Sequence, residues 1–82
     1  MAKILIVDDS ATVRKLLTHT LRPKRHQCIE ACDGFEALEK LALHPDIRLV
    51  ISDLNMPNMD GIELIASIRE NPQYRDLPII ML

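Results

Sequence analysis

Apolar residues run along the chain in two alternating rhythms: short unbroken runs, and longer stretches spaced at helical intervals. Lys3-Ile4-Leu5-Ile6-Val7 is nearly all apolar, the pattern of a strand covered on both faces, as in a parallel sheet. Two acids end the run, and Ser10 follows where a helix cap belongs. Val13, Leu16, Leu17, Thr20 and Leu21 then recur at helical spacing. Arg22-Pro23-Lys24-Arg25-His26 ends that helix, with cations where its dipole favours them. Residues 27–32 read as a shorter, more polar strand near a sheet edge. Asp33 and Glu36 form a D-x-x-E start close to a capping box. Ala37, Leu38, Leu41 and Ala42 supply the buried stripe, and His44-Pro45 stops the helix. Residues 48–52 predict a third strand with Asp53 at its end, followed by a loop over residues 54–59. Asp60 and Glu63 again look like a cap, with Ile62, Ile65 and Ile68 at helical spacing and Leu64 beside them. Asn71-Pro72 closes this helix, and residues 77–82 predict a fourth strand.

The order is βαβαβαβ. Parallel strands need crossovers, and crossovers are almost always right-handed. The expected architecture is therefore an α/β open parallel sheet with helices on both faces. A piece of a (β/α) barrel has the same alternation, so the pattern alone leaves both open.

Length and composition narrow the function classes. A chain of 82 residues bounds the fold to one domain. With 48% hydrophobic and 27% charged residues, low-hydrophobicity disorder is excluded. A net charge of −2 gives no support to a nucleic-acid or anionic-membrane role. The basic cluster at Arg22, Lys24, Arg25 and His26 lacks interleaved aromatics and reads as a solvated helix end. No stretch approaches the roughly 20 apolar residues of a membrane helix. The first apolar run is too short for a signal peptide, so a cytoplasmic location is expected. Cys28 and Cys32 stand four residues apart in a predicted strand. That separation is about 13 Å, too far for a disulfide. They are expected to be buried, inert thiols. His19, His26 and His44 are scattered without metal-ligand spacing. Phe35 and Tyr74 are the only aromatics, so stacking platforms for bases or flavins are lacking.

The chemistry is carried by acids. In open α/β sheets, working groups gather at the carboxyl ends of strands where the strand order reverses. The first strand ends in Asp8-Asp9 and the third in Asp53. If those strands are neighbours, three carboxylates converge. Like charges that close are unfavourable without a compensating cation. Magnesium takes oxygen ligands and uses one or two carboxylates plus a phosphate oxygen. A remaining aspartate can then act as a nucleophile and form an acyl phosphate. Taken singly, each acid is equally well read as a helix or turn cap.

The segments Ile4-Leu5-Ile6-Val7-Asp8-Asp9-Ser10, Asp33-Gly34-Phe35-Glu36-Ala37-Leu38 and Ile51-Ser52-Asp53-Leu54-Asn55-Met56-Pro57-Asn58-Met59-Asp60-Gly61-Ile62-Glu63-Leu64 closely resemble receiver domains of bacterial two-component systems. The resemblance spans the whole chain, and D-D-S combined with D-x-N-M-P-x-M-D-G is a specific signature. It implies a flavodoxin-like fold, with strand order 2-1-3-4 over this stretch. It also implies a phosphoacceptor role for Asp53 and magnesium binding by Asp8, Asp9 and Asp53 with the backbone carbonyl of Asn55. Pro57 and Gly61 match residues that shape the acceptor loop, the glycine by relaxing backbone limits and the proline by fixing one dihedral. The implied donor is a histidine kinase or a histidine phosphotransfer protein, and the chain is not a turnover enzyme. Phosphohydrolases that use an aspartyl phosphate commonly carry a second acid two residues after the nucleophile; here that position is Asn55.

The resemblance also implies continuation past Leu82, to a Ser or Thr, a Lys, and further elements absent from these 82 residues. Residues 1–82 are thus expected to be the N-terminal portion of a single receiver domain, with impaired phosphotransfer. A fourth-strand edge and an uncovered sheet face predict a homo-oligomer. The competing expectation is a truncated or engineered α/β fragment that self-associates around a vestigial site.

Overall fold

The computed structural model describes residues 2–82. Four strands and three helices alternate: β1 (Lys3–Val7), α1 (Ala11–Leu21), β2 (Gln27–Ala31), α2 (Gly34–Leu43), β3 (Ile47–Ser52), α3 (Gly61–Arg69) and β4 (Ile79–Met81). Short 3₁₀ turns at Arg22–Lys24 and Pro72–Tyr74 follow α1 and α3.

All pairings are parallel, in the order β2-β1-β3-β4. This order decides between the two architectures left open by the alternation. A barrel would place strands in sequence order, whereas here the chain steps from β1 to one side, then returns past it. The sheet is the expected open, flavodoxin-like one. Right-handed crossovers then dictate the layers. The step from β1 to β2 runs opposite to the steps toward β3 and β4, so α1 covers one face while α2 and α3 cover the other.

The core follows from that division. Leu5, Val7 and Val50 cluster with Ala31 and with Ala37, Leu41, Leu64 and Ile68 of α2 and α3. Ile4 and Ile6 are equally buried but stand outside that cluster, as the two-residue period of a strand requires.

Several inward positions differ from the predicted stripes. On α3, Gly61, Leu64 and Ile68 are buried while Ile62 is 61% exposed. The capping box between Asp60 and Glu63 fixes where that helix starts, and the sheet beneath it selects the face that is buried. On α2, Ala37 and Leu41 face the core but Ala42 is exposed. Its cap is only half a capping box: Asp33 accepts from Glu36 N, yet Glu36 accepts from Cys32 N. On α1, Thr18 is buried and Leu17 half-buried, whereas Val13, Leu16 and Thr20 are exposed. A single helix over β1 and β2 has only one face to bury.

The cysteines also depart from expectation. Cys28 is half-buried and Cys32 exposed, because Cys32 lies beyond the end of β2. Burial pushes the Cys28 thiol up, and the neighbouring Thr18 hydroxyl pulls it partly back. Local desolvation of the sulfur leads in pushing the exposed Cys32 thiol up, joined by the nearby Glu36 and Asp33 charges. Neither thiol is activated.

Candidate functional site

The register carries the end of β1 alongside the end of β3. Val7 pairs with Ser52, and the next residue, Asp53, donates its N–H to the Val7 carbonyl at 2.9 Å. Asp8 donates its own N–H to Ala31 of β2 at 3.1 Å. The first and third strands are thus neighbours, and their terminal acids meet. Asp8, Asp9 and Asp53 each present a carboxylate oxygen, and these oxygens all lie within 4.8 Å of one another. Asp8 is buried, Asp53 half-buried and Asp9 exposed, so the cluster opens to solvent on one side.

The capping readings of these acids coexist with the cluster. Asp8 Oδ1 accepts from Ser10 N at 2.8 Å, a local turn that leads into α1. The helix cap itself is Ser10, whose hydroxyl accepts from Val13 N. Asp53 Oδ1 accepts from Asn55 N at 3.4 Å. Each carboxylate retains lone pairs beyond these bonds.

The family profile described as "Response regulator receiver domain" matches residues 4–82. The chain belongs to the response-regulator receiver family. It is 42% identical over 80 residues to a chemotaxis protein CheY homolog of Campylobacter jejuni, covering 96% of this chain and 62% of that protein. It is 41% identical to chemotaxis protein CheY1 of Helicobacter pylori, covering 98% of this chain and 65% of the relative. The chain therefore spans somewhat under two thirds of the length of these relatives. Among solved structures, chemotaxis protein CheY4 of Vibrio cholerae superposes with a TM-score of 0.93 at 42% identity, covering 99% of this chain and 67% of the other.

In this receiver, the loop after Asp53 is held from several sides. Met56 is buried in the core and Met59 packs against it. Pro57 accepts from Met59 N at 2.8 Å across Asn58. Asn58 has φ 71°, a left-handed conformation that asparagine tolerates better than most side chains. Asn55 and Pro57 are exposed.

Gly61 corrects one sequence expectation. Its φ is not positive, so freedom of dihedral is not the reason for glycine. Close approach is: a Cβ there would stand 2.5 Å from Met81 Sδ, 2.8 Å from the Asp53 carbonyl oxygen and 3.0 Å from Leu54 Cα. Gly61 N also donates to the Leu54 carbonyl at 2.8 Å. The first turn of α3 is thereby seated directly on the backbone of Asp53 and Leu54.

Two contributors escaped the sequence reading. Ser52, fully buried, donates its hydroxyl to the Asp53 carbonyl at 2.9 Å. Arg14 donates Nη1 to the Asp8 carbonyl at 2.6 Å and Nε to Glu30 Oε1 at 3.1 Å. The only hint was a cation early in α1 with an acid on the adjoining strand, a pattern shared with ordinary surface pairs.

The donor set suits a small, hard cation. Among the described residues, the ion pairs are Lys3–Asp46, Arg14–Glu30 and Lys15–Glu30. None involves the three clustered aspartates, whose mutual repulsion is therefore not relieved by a side-chain cation. Three oxygen donors with free lone pairs match magnesium or manganese better than a softer metal.

Proposed function

We propose that the chain is the phosphoacceptor part of a two-component phosphorelay. Asp53 is the acceptor, and the donor is a phosphohistidine on a histidine kinase or a histidine phosphotransfer protein. The convergence of the three carboxylates at the ends of β1 and β3 is the observation that carries this reading. Asp8, Asp9, Asp53 and the backbone carbonyl of Asn55 would hold magnesium. When bound, the ion neutralises charge on the transferring phosphoryl group. An Asp53 carboxylate oxygen attacks phosphorus, an O–P bond forms, and the P–N bond to the donor histidine breaks. The electron pair of that bond leaves with the histidine nitrogen, which then takes a proton from solvent. Asp8 is held for its task through Ser10 N and Ala31 O. Pro57 and Gly61 shape the loop and its approach to Asp53. The product stays on the chain, so this is a signalling step rather than turnover. A cytoplasmic location suits that role, and no helix among the described residues is long and apolar enough to cross a membrane.

The test is to incubate the chain with magnesium and a small acyl-phosphate donor and read its intact mass beside Asp53→Asn. A phosphoryl adduct on the parent alone is expected. No adduct on a folded parent, or an equal one on Asp53→Asn, overturns the assignment.

The same 82 residues are also proposed to self-associate. Among the described residues β4 pairs on one side only, with β3, and Ile80 and Leu82 are exposed. Sedimentation as a clean monomer at high concentration would refute this.

A further inference from the structure

The backbone of Asp8 is held at both of its polar groups, although the residue lies past the end of β1. Its N–H is taken by Ala31 on β2, at 3.1 Å. Its carbonyl has left the strand ladder, where a free strand end would turn to water. Instead it accepts a 2.6 Å hydrogen bond from Arg14 Nη1. Arg14 lies in the first helical turns of α1 and has a side chain only 16% exposed. Its aim is fixed in turn: Nε donates to Glu30 Oε1 at 3.1 Å, and Glu30 Oε2 accepts from Lys15 Nζ at 2.9 Å. Glu30 immediately precedes Ala31 on β2. The strand that binds the Asp8 N–H therefore also anchors the arginine that binds the Asp8 carbonyl.

We propose that Arg14 is a positioning residue of the acidic site, which sets the Asp8 carboxylate for a divalent cation by clamping the Asp8 carbonyl against β2. With N–H, carbonyl and Oδ1 all engaged, rotation about the Asp8 backbone would break a charge-assisted bond, a sheet-edge bond or the Ser10 turn. The carboxylate oxygen facing Asp9 and Asp53 is left where those three bonds put it. The clamp needs two donors in a fixed planar relation, one toward a carbonyl and one toward a carboxylate. A guanidinium has that shape; an ammonium is a point charge on a flexible stem. The Glu30 carboxyl is held below its ordinary range, chiefly by the Lys15 hydrogen bond and further by Arg14, so the anchor stays charged over the working pH range. The inference rests on the reading that Asp8, Asp9 and Asp53 bind a divalent ion.

The test measures manganese binding directly, from the loss of the free-ion resonance in electron paramagnetic spectra. It compares the full chain with Arg14→Gln, Arg14→Lys, Glu30→Gln, Lys15→Ala and Asp8→Asn. Partners behind a metal ligand typically contribute about 10-fold or more in affinity. Arg14→Gln is expected to weaken manganese binding by about that factor. Arg14→Lys should recover only part of it, and Glu30→Gln should weaken binding less than Arg14→Gln. Lys15→Ala, which leaves both Arg14 bonds in place, should bind as the parent does. The Ser10 amide proton, bonded to the Asp8 carboxylate, should shift in both Arg14 variants. If the parent fails to bind manganese, or Asp8→Asn binds as well as the parent, the metal reading itself falls. If the parent binds and Asp8→Asn does not, but the Arg14 variants match the parent, the positioning role is overturned and the metal reading stands. Should Arg14→Gln fail to fold, Arg14→Lys and Glu30→Gln decide: parent-like affinity in both overturns the proposal.

Discussion

Replacing Gly61 by alanine tests how the loop after Asp53 is seated. In an unobstructed helix, Gly→Ala stabilises by up to about 1 kcal/mol, and somewhat less in the first turn. Here the added methyl meets Met81 Sδ at 2.5 Å, the Asp53 carbonyl oxygen at 2.8 Å and Leu54 Cα at 3.0 Å. Met81 can swing its sulfur aside. The other two atoms are backbone, tied by the bonds from Asp53 N to Val7 O and from Gly61 N to Leu54 O. Forcing a methyl into such a contact costs about 1–3 kcal/mol. Setting this against a first-turn helix gain of about 0.5 kcal/mol leaves a net loss of about 0.5–2.5 kcal/mol. For a domain of this size that lowers Tm by roughly 4–8 °C per kcal/mol. Urea denaturation followed by far-ultraviolet circular dichroism reads the loss. Gly34 is the comparison: a Cβ there meets only the Met59 side chain, at 2.5–2.9 Å. Met59→Ala should therefore relieve Gly34→Ala in a double-mutant cycle, whereas Met81→Ala should relieve Gly61→Ala only partly. A Gly61→Ala chain as stable as the parent, or more so, would refute the close-approach argument. So would full rescue by Met81→Ala.

The phosphoryl adduct on Asp53, the manganese affinity of the Arg14 variants and the sedimentation of the chain stand as stated above. One further outcome concerns pH. The Glu30 carboxyl titrates below its ordinary value of 4.5, first because of its hydrogen bond from Lys15. A lowered folded-state value contributes stability that is present above about pH 4.5 and lost as pH falls through the folded value. Denaturant midpoints of the parent should drop more steeply than those of Glu30→Gln across that acidic window, and parallel curves would remove Glu30 from the account.

Much of this receiver was legible in its sequence because local rules and the global fold agree. The continuous apolar run before Asp8 marks a strand buried on both faces, and Ser10, Asp33 and Asp60 all cap the helices that follow them. The strand-end acids stood out as candidates because working groups gather at carboxyl ends in such sheets, and the structure brings them together. Apolar spacing located the helices but not their phase. Leu64 and Ile62 are both apolar, and only the sheet beneath α3 decides that Leu64 is buried and Ile62 is not. The same limit hid the exposure of Leu16 and Ala42.

The sequence by itself determined the order of elements, their caps and the identity of the acids, since these depend on residues a few positions apart. Apart from the order that the family resemblance implied, only the tertiary structure decided which strands are neighbours. Alternation is the same in a barrel and an open sheet; the order β2-β1-β3-β4 brings Asp8 and Asp9 beside Asp53, residues more than forty positions apart. It also decided the roles of Arg14 and Gly61. A guanidinium bound to a carbonyl past a strand end, and a helix start pressed onto the Asp53 backbone, are contacts between segments that meet only when the sheet is assembled.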